Sequence, residues 1–455
     1  MGICQFSDYV IVNELWAMMR SFKHVFSGIV IIFFCLLFLP LHLVAAETGE
    51  YVAIHKEGSG KIALVLDKLD ASGNKESRVA QSLDAIMHGG LDFTGIFSLI
   101  SPPLNVKESR DIKNVVINFG ALTSVGAEVY AGGVVTIQSG LVSMDMSVFE
   151  ASGSRLLFRK TYTGKEEELR SIGHAFCADL LALLTGKRSV FGSKIVFVSN
   201  ISGFKEIYEC DFDGYGLEQL TNSKSIVMNP ALSPDGRHLA YIDFVSGRPT
   251  LYIRNLAERK TVSVSKSGVS IDPGWRSGSE VAATLSFDGN QEIYLVKTDG
   301  TLSRRVTNSR GIDISPTFSP DGSKMAFVSS RNGLPQIFIQ DLQSGQVKRL
   351  TFSGRYNTQP SWSPVGDKIA YTTWEKSGEI NIFVINADGS GVMQLTRNCR
   401  ENKSPSWSPD GGMIVFTSDR QGKEKMYVMN SKGGNQKLLL QVDGVQTQPS
   451  WSLSR

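Results

Sequence analysis

The chain has 455 residues, 42% of them hydrophobic, with 47 basic and 44 acidic side chains and a formal net charge of +3. That length is enough for two or three domains with sizeable cores. A nearly neutral balance, with no cluster of Lys and Arg interleaved with aromatics, excludes a nucleic-acid surface as the organising feature.

The first 46 residues read as a targeting segment. Arg20, Lys23 and His24 form a positive region, residues 25–43 an apolar one, and Val44-Ala45-Ala46 the small-residue exit that a signal peptidase requires. Cleavage after Ala46 is expected. Residues 1–17 fit no leader pattern, and a start near Met18 or Met19 is the expectation that fits the leader better. The competing reading is an uncleaved membrane anchor, since the apolar run is long enough to span a bilayer. Cys35 follows Phe33 and Phe34, a poor context for lipid attachment.

Residues 47–60 are polar, Gly-containing and without a helical period, as in a mobile arm or an edge strand. A small α/β domain is expected over 61–186. It opens with a buried strand at 61–66 and a helix from Glu76 to about Met87, with Val79, Leu83, Ile86 and Met87 on one face. Gly89-Gly90 is expected to end that helix. Strands follow at 115–119, 126–137, 141–149 and 156–162, the later ones as a meander with Gly-containing turns. The clearest helix spans 165–185, with Leu169, Ile172, Phe176, Leu180 and Leu183 at helical spacing and Gly186 as its stop. Residues 187–192 are a linker.

The remainder, 193–455, is a repeat. Pro405-Ser406-Trp407-Ser408-Pro409-Asp410-Gly411 is one copy, and others start at Pro230, Pro273, Pro316, Pro360 and Pro449, with gaps of 43, 43, 44, 45 and 44 residues. Two apolar runs follow each of the first five copies, and a Leu-Thr or Val-Thr closes several units. A period of roughly 40–45 residues with four short strands marks a β-propeller blade. The segment from Lys194 to Thr221 is a blade lacking its first strand, and Pro449 begins a first strand lacking its blade. Together they make a sixth unit, so the fold class is mainly β: a six-bladed propeller closed by pairing of the C-terminal strand with the first blade, behind an α/β N-terminal domain. Closing the ring hides two edges that would otherwise invite aggregation. Trp275, Phe318, Trp362, Trp407 and Trp451 should be buried between blades. Asp235, Asp321 and Asp410 read as turn caps rather than catalytic acids.

No nucleophile elbow, phosphate loop or dinucleotide fingerprint occurs. His55, His88, His174 and His238 share no metal-like spacing, and Cys177, Cys210 and Cys399, the thiols left after the leader, are too few for a disulfide framework. A pairing of Cys210 with Cys399 has no support. The residues therefore describe a non-enzymatic binding protein without a cofactor, and spacing gives no support to a cation in the channel.

The junction adds a resemblance. Leu169-Arg170-Ser171-Ile172-Gly173-His174-Ala175, then Asp179, Leu184-Thr185-Gly186 and Phe191-Gly192-Ser193-Lys194-Ile195 resemble the domain-joining segment of the TolB family, the propellers of the Tol–Pal envelope system of Gram-negative bacteria. Gly95-Ile96-Phe97 is similar to that family's Ser-Gly-x-Phe, with Thr94 in place of Ser and Gly90 in place of an Asp. The resemblance implies a periplasmic monomer that binds the peptidoglycan-associated lipoprotein at the mouth of the propeller channel. That partner would hold it at the periphery of the outer membrane. It also implies that the arm, through Glu47, Tyr51, Val52 and Ile54, engages a TolA-type inner-membrane protein. Outer-membrane integrity and constriction during cell division are the implied roles. First strands line such channels, so Met228, Asn229, Asp272, Ser315, Gln359, Ser404 and Gln448, next to the repeat prolines, are expected at one mouth. Arg331 and Arg420 join them as candidates from the following loops, although each could simply pin its own loop. Two rival readings are a sugar- or peptidoglycan-binding propeller of the periplasm and a peptidase-associated propeller module.

Overall fold

The computed structural model describes residues 60–107, 116–264, 270–287, 289–397 and 400–453. The leader, the arm with Glu47, Tyr51, Val52 and Ile54, and Cys399 lie outside the described residues. Among the described residues, no helix is long and apolar enough to cross a membrane.

The N-terminal sheet contains β1 (Ile62–Leu66), β2 (Asp70–Ala71), β3 (Phe97–Ile100), β4 (Val129–Gln138), β5 (Leu141–Glu150) and β6 (Arg155–Lys165). Its order is β3-β1-β4-β5-β6, with β2 against β4. β1 runs parallel to β3 and β4, while β4, β5 and β6 form an antiparallel meander. Strict alternation on β5 sends Val142, Met144, Met146 and Val148 to one face. There they meet α1 (Asn74–Thr94) and, following α2 (Phe119–Ser124), the long α3 (Leu169–Thr185), through Val79, Leu83, Met87, Phe176 and Leu180.

Two expectations about this domain need correcting. α1 does not end at Gly89-Gly90 but runs on to Gly95, whose φ of 68° provides the left-handed stop. Gly90 is buried, and a Cβ there would come within 2.7 Å of the Phe191 ring, so this glycine serves close packing rather than termination. Second, no strand covers Phe119. That residue starts α2, because the Asn118 Oδ1 accepts from the Ala121 N–H at 3.0 Å and caps a helix there. Gly186 ends α3 with φ 67°.

The rest is a ring of six four-stranded antiparallel sheets. The first blade is composite. The last strand, Gln446–Ser452, pairs with β7 (Lys194–Ser199), followed by β8 (Glu206–Asp211) and β9 (Glu218–Gln219), and Trp451 stands opposite Ile195. The second to sixth blades start with Val227–Leu232, Ser270–Ser277, Asp313–Phe318, Tyr356–Trp362 and Asn402–Trp407. Trp275, Phe318, Trp362, Trp407 and Trp451 are all buried, each in a cluster shared by neighbouring blades. The Trp275 and Trp407 indoles also donate across a blade boundary, to the carbonyls of Ala231 at 2.8 Å and Ser361 at 3.0 Å.

The terminal Leu-Thr and Val-Thr pairs have a recurring task. The Thr221, Thr307 and Thr351 hydroxyls each accept the N–H of a third strand and donate to the residue that opens it, Glu206, Glu292 or Gln336. The Pro-Asp-Gly turns are capped by their aspartates. The Asp321 carboxylate accepts from the Ser319 and Ser323 hydroxyls, which hold its pKa down to about 2.

The α/β domain packs where the first strands finish. Phe93 of α1 and His174 of α3 both meet Phe212 edge-on, at 5.3 and 5.2 Å, and Arg170 pairs with Asp211 and Asp213. The opposite, distal end of the ring, where first strands start, is built of loops.

Candidate docking surface

Each first strand carries the same irregularity. Register slips between Met228 and Ala231, Ile271 and Gly274, Ile314 and Thr317, Thr358 and Ser361, Lys403 and Ser406, and Thr447 and Ser450. The cause lies in the repeat: proline has no N–H to give the ladder, so the chain bulges at it. The residue before each proline absorbs the bend in a left-handed conformation. Asn229, Asp272, Ser315, Gln359, Ser404 and Gln448 have φ between 46° and 55°. None is glycine, and a residue before proline ordinarily prefers extended backbone. Each such conformation costs on the order of 1–3 kcal/mol.

These six residues and the six prolines line one cavity of about 150 Å³ on the ring axis. Toward the α/β domain it continues past the same prolines into a chamber of about 650 Å³, lined also by Trp275, Phe318, Trp362, Trp451 and Arg188. The six residues expected at one mouth thus meet around a single cavity on the channel axis, each a few residues into its strand, as Ser315 is the third residue of Asp313–Phe318. Met228 is not among them. Lying before the bulge, it faces Ile242 across the ladder and packs into the core of the second and third blades.

The ring side chains bond to one another. The Ser315 hydroxyl donates to the Asp272 carboxylate at 2.5 Å, and the Gln359 Oε1 accepts from the Thr372 hydroxyl at 2.9 Å and the Ser404 N–H at 3.0 Å. Enclosure by protein pushes the Asp272 carboxyl up, and the Ser315 hydrogen bond opposes that. Among the described residues, no group of three or more His, Cys, Asp or Glu is placed to hold a metal ion.

The two arginines are held by their own blades. Arg331 pairs with the fully buried Asp313 at 2.7 Å, donates to the Ser329 hydroxyl, and lies over the Phe327 and Phe338 rings. Arg420 bonds to the Ser418 hydroxyl and the Asn402 amide oxygen and lies 4.3 Å from the Tyr427 centroid. Arg420 also lines a distal cleft of about 660 Å³ with Glu379, Arg400, Glu401 and Asp419.

The residues missed from sequence are distal and apolar. Ile312, Leu334, Phe352 and Trp374 are 45%, 51%, 76% and 48% exposed in loops and strand ends of the fourth and fifth blades. Arginines surround them. The Arg349 guanidinium lies 4.9 Å from the Phe352 centroid, and that of Arg355 lies 5.2 Å from Tyr356, which meets Trp374 edge-on at 5.7 Å. The only sequence signal was an apolar residue inside a polar, glycine-containing loop, as in Gly311-Ile312-Asp313 and Gly333-Leu334-Pro335.

Comparison with known proteins follows the same outline. Residues 181–455 match the family model described as the TolB beta propeller domain. The chain is 60% identical over 434 residues to a protein named "Protein TolB homolog" from Chlorobium luteolum, covering 95% of this chain and 99% of that one. It is 42% identical over 281 residues, 61% of this chain and 64% of the other, to the "Tol-Pal system protein TolB" of Desulfosudis oleivorans. The crystal structure of TolB from Acinetobacter baumannii superposes with a TM-score of 0.76 at 23% identity, covering 87% of this chain and 97% of that chain, a likeness of fold.

Proposed function

Because the chain belongs to the TolB family, we propose that this non-enzymatic Tol–Pal propeller protein works in the periplasm as an adaptor between two envelope partners. One is the peptidoglycan-associated lipoprotein, docked over the distal end of the channel. The other is a TolA-type inner-membrane protein, engaged by the arm through Glu47, Tyr51, Val52 and Ile54. By holding both, the chain would support outer-membrane integrity and constriction during division.

The observation that carries this reading is the strained ring. Six non-glycine residues held left-handed in one register converge on one cavity, and such strain gathers where a protein meets a ligand. The ring and the loops above it form a concave, pre-formed surface whose loops can vary without disturbing blade packing.

The test is calorimetric titration of the mature chain with the purified soluble domain of the lipoprotein from the same organism. Saturable one-to-one binding is expected, weakened by Gln359→Ala and Asp272→Asn. No binding at 100 μM would reject the reading, and binding of peptidoglycan fragments in its place would favour a sugar-recognising propeller.

A further inference from the structure

We propose that the protein partner is gripped off the ring axis, by an aromatic–arginine patch on the fourth and fifth blades, and that it presents an apolar pocket bordered by carboxylates. This rests on the reading that a protein docks on the distal end, and it adds the place and the chemistry of the grip.

Backbone bonds join the segments that carry these residues. The Ser330 N–H donates to the Ile312 carbonyl at 3.1 Å, in the loop that leads to Leu334. Pro335, the next residue, accepts from the Asn357 N–H at 3.0 Å, and the Arg355 N–H donates to the Trp374 carbonyl at 2.8 Å. Ile312, Leu334, Tyr356 and Trp374 therefore occupy adjoining segments, with Phe352 three residues from Arg355. Among the described residues, Ile312, Leu334, Phe352 and Trp374 belong to none of the hydrophobic clusters that hold the fourth and fifth blades together. Their exposure serves no packing role, and a clustered apolar patch on a soluble protein marks a contact surface.

The patch is also ordered before anything binds. The Arg349 Nε donates to the Thr351 carbonyl at 2.7 Å, which fixes the guanidinium beneath Phe352, and Tyr356 braces Trp374. A partner meeting rigid aromatics loses less side-chain freedom on binding. Aromatic residues and arginine are the types that dominate binding energy at interface centres.

Charge selects the partner. Arg310 and Arg355 are exposed beside the patch, and Arg349 is half-buried under it. The acid nearest to Ile312, Asp313, is buried and already matched by Arg331. On the side of Trp374 the next residue, Glu375, already accepts from the Asn381 and Gln394 amides, and Glu379 lies further along that loop. The cationic border is therefore the one beside Ile312 and Phe352, formed by Arg310, Arg349 and Arg355, and it fits a partner whose apolar pocket is edged by Asp and Glu on that side.

The experiment uses the full chain in its own cells. A photoreactive benzophenone amino acid replaces Phe352 or Trp374, with Leu156 of β6 as a control position, and Arg310→Glu plus Arg355→Glu is added in a second set. Melting temperature of each purified variant is required to match the parent. The expected result is an adduct from 352 and 374, absent from 156, whose yield falls at least about tenfold on charge reversal. In titration, Phe352→Ala should weaken lipoprotein binding about thirty-fold, as for a central aromatic anchor. An Arg-dependent adduct with the lipoprotein supports both this inference and the function proposed above. An Arg-dependent adduct with another protein, joined at an acidic surface, keeps the inference and rejects the lipoprotein. No adduct, an adduct with a second copy of the chain, or one indifferent to the arginines overturns the inference.

Discussion

Gln448 and Asn229 hold each other twice. The Gln448 Oε1 accepts from the Asn229 N–H at 2.9 Å, and the Gln448 Nε2 donates to the Asn229 Oδ1 at 2.8 Å. One residue sits in the last strand of the chain and the other in the first strand of the second blade, 219 positions apart. Gln448→Ala leaves an enclosed N–H and an amide without these partners and should lower stability by about 1–3 kcal/mol. Urea unfolding is the measurement, and an unchanged midpoint would show that the pair is incidental to closure.

Trp451 tests closure through packing. It lies in the core shared by β7, β8 and the sixth blade, and its indole donates to the Ser193 hydroxyl at 2.8 Å. Trp451→Ala should cost about 3–5 kcal/mol, more than a truncation in an open-ended stack would. Trp451→Phe keeps the ring and loses the hydrogen bond, and should cost roughly 1–2 kcal/mol. Thermal melts of the two variants rank the contributions.

Two adjacent glycines in α1 should respond with opposite signs. A Cβ at Gly89 would meet nothing within 4 Å, so Gly89→Ala should stabilise by about 0.5–1 kcal/mol through helix propensity. A Cβ at Gly90 would press into Phe191 at 2.7 Å, so Gly90→Ala should destabilise by roughly 1–3 kcal/mol. Equal effects would mean that the domain interface yields more easily than its packing implies.

His174 should give the junction a pH dependence. Burial against Phe191 and Phe212 lowers its pKa, the Arg170 charge lowers it further, and Asp213 and Asp211 act the other way. The folded state thus prefers the neutral ring. Above about pH 6.5 both states are neutral and the full stability is present. As pH falls below that value the unfolded chain takes up the proton first, and stability declines until the depressed folded pKa is reached. Melting temperature between pH 8 and pH 5 should fall more steeply for the parent than for His174→Leu. Parallel curves would remove His174 from the account.

Arg331 separates a structural role from a binding one. Arg331→Ala strands the buried Asp313 carboxylate, which burial already pushes upward in pKa, and should cost about 3–5 kcal/mol. Adding Asp313→Asn should restore much of that loss. If the single variant melted like the parent yet failed to bind the lipoprotein, Arg331 would be a contact residue.

Much of the ring was legible because its cause is local. Proline, an aromatic and a capping aspartate recur at fixed offsets, and each has one dominant physical use. The meeting of the six pre-proline residues on the axis was readable for the same reason, whereas the bulge that turns each of them left-handed shows only in the ladder register. Met228 was misplaced because one position along a strand reverses the face. The partners of Arg331 and Arg420 lie 18 positions back, on a neighbouring strand. The course of α1 through two glycines was hidden, since it depends on Phe191, a residue about a hundred positions later. The distal patch was invisible because Phe352 or Leu334 in a string of letters looks like any core residue.

The shared sheet also sets a timetable. Whether it leaves a ribosome or a translocation pore, a chain that emerges from its N-terminus presents β7 long before the strand that completes its blade, since Ser193 and Trp451 are 258 residues apart. At about 5–20 residues per second, that interval is roughly ten seconds to a minute. Throughout it β7 presents an unfilled edge, so a nascent or prematurely terminated chain is sticky at its front as well as at its growing end. Such a protein needs shielding during its birth more than a linear array of the same repeats would.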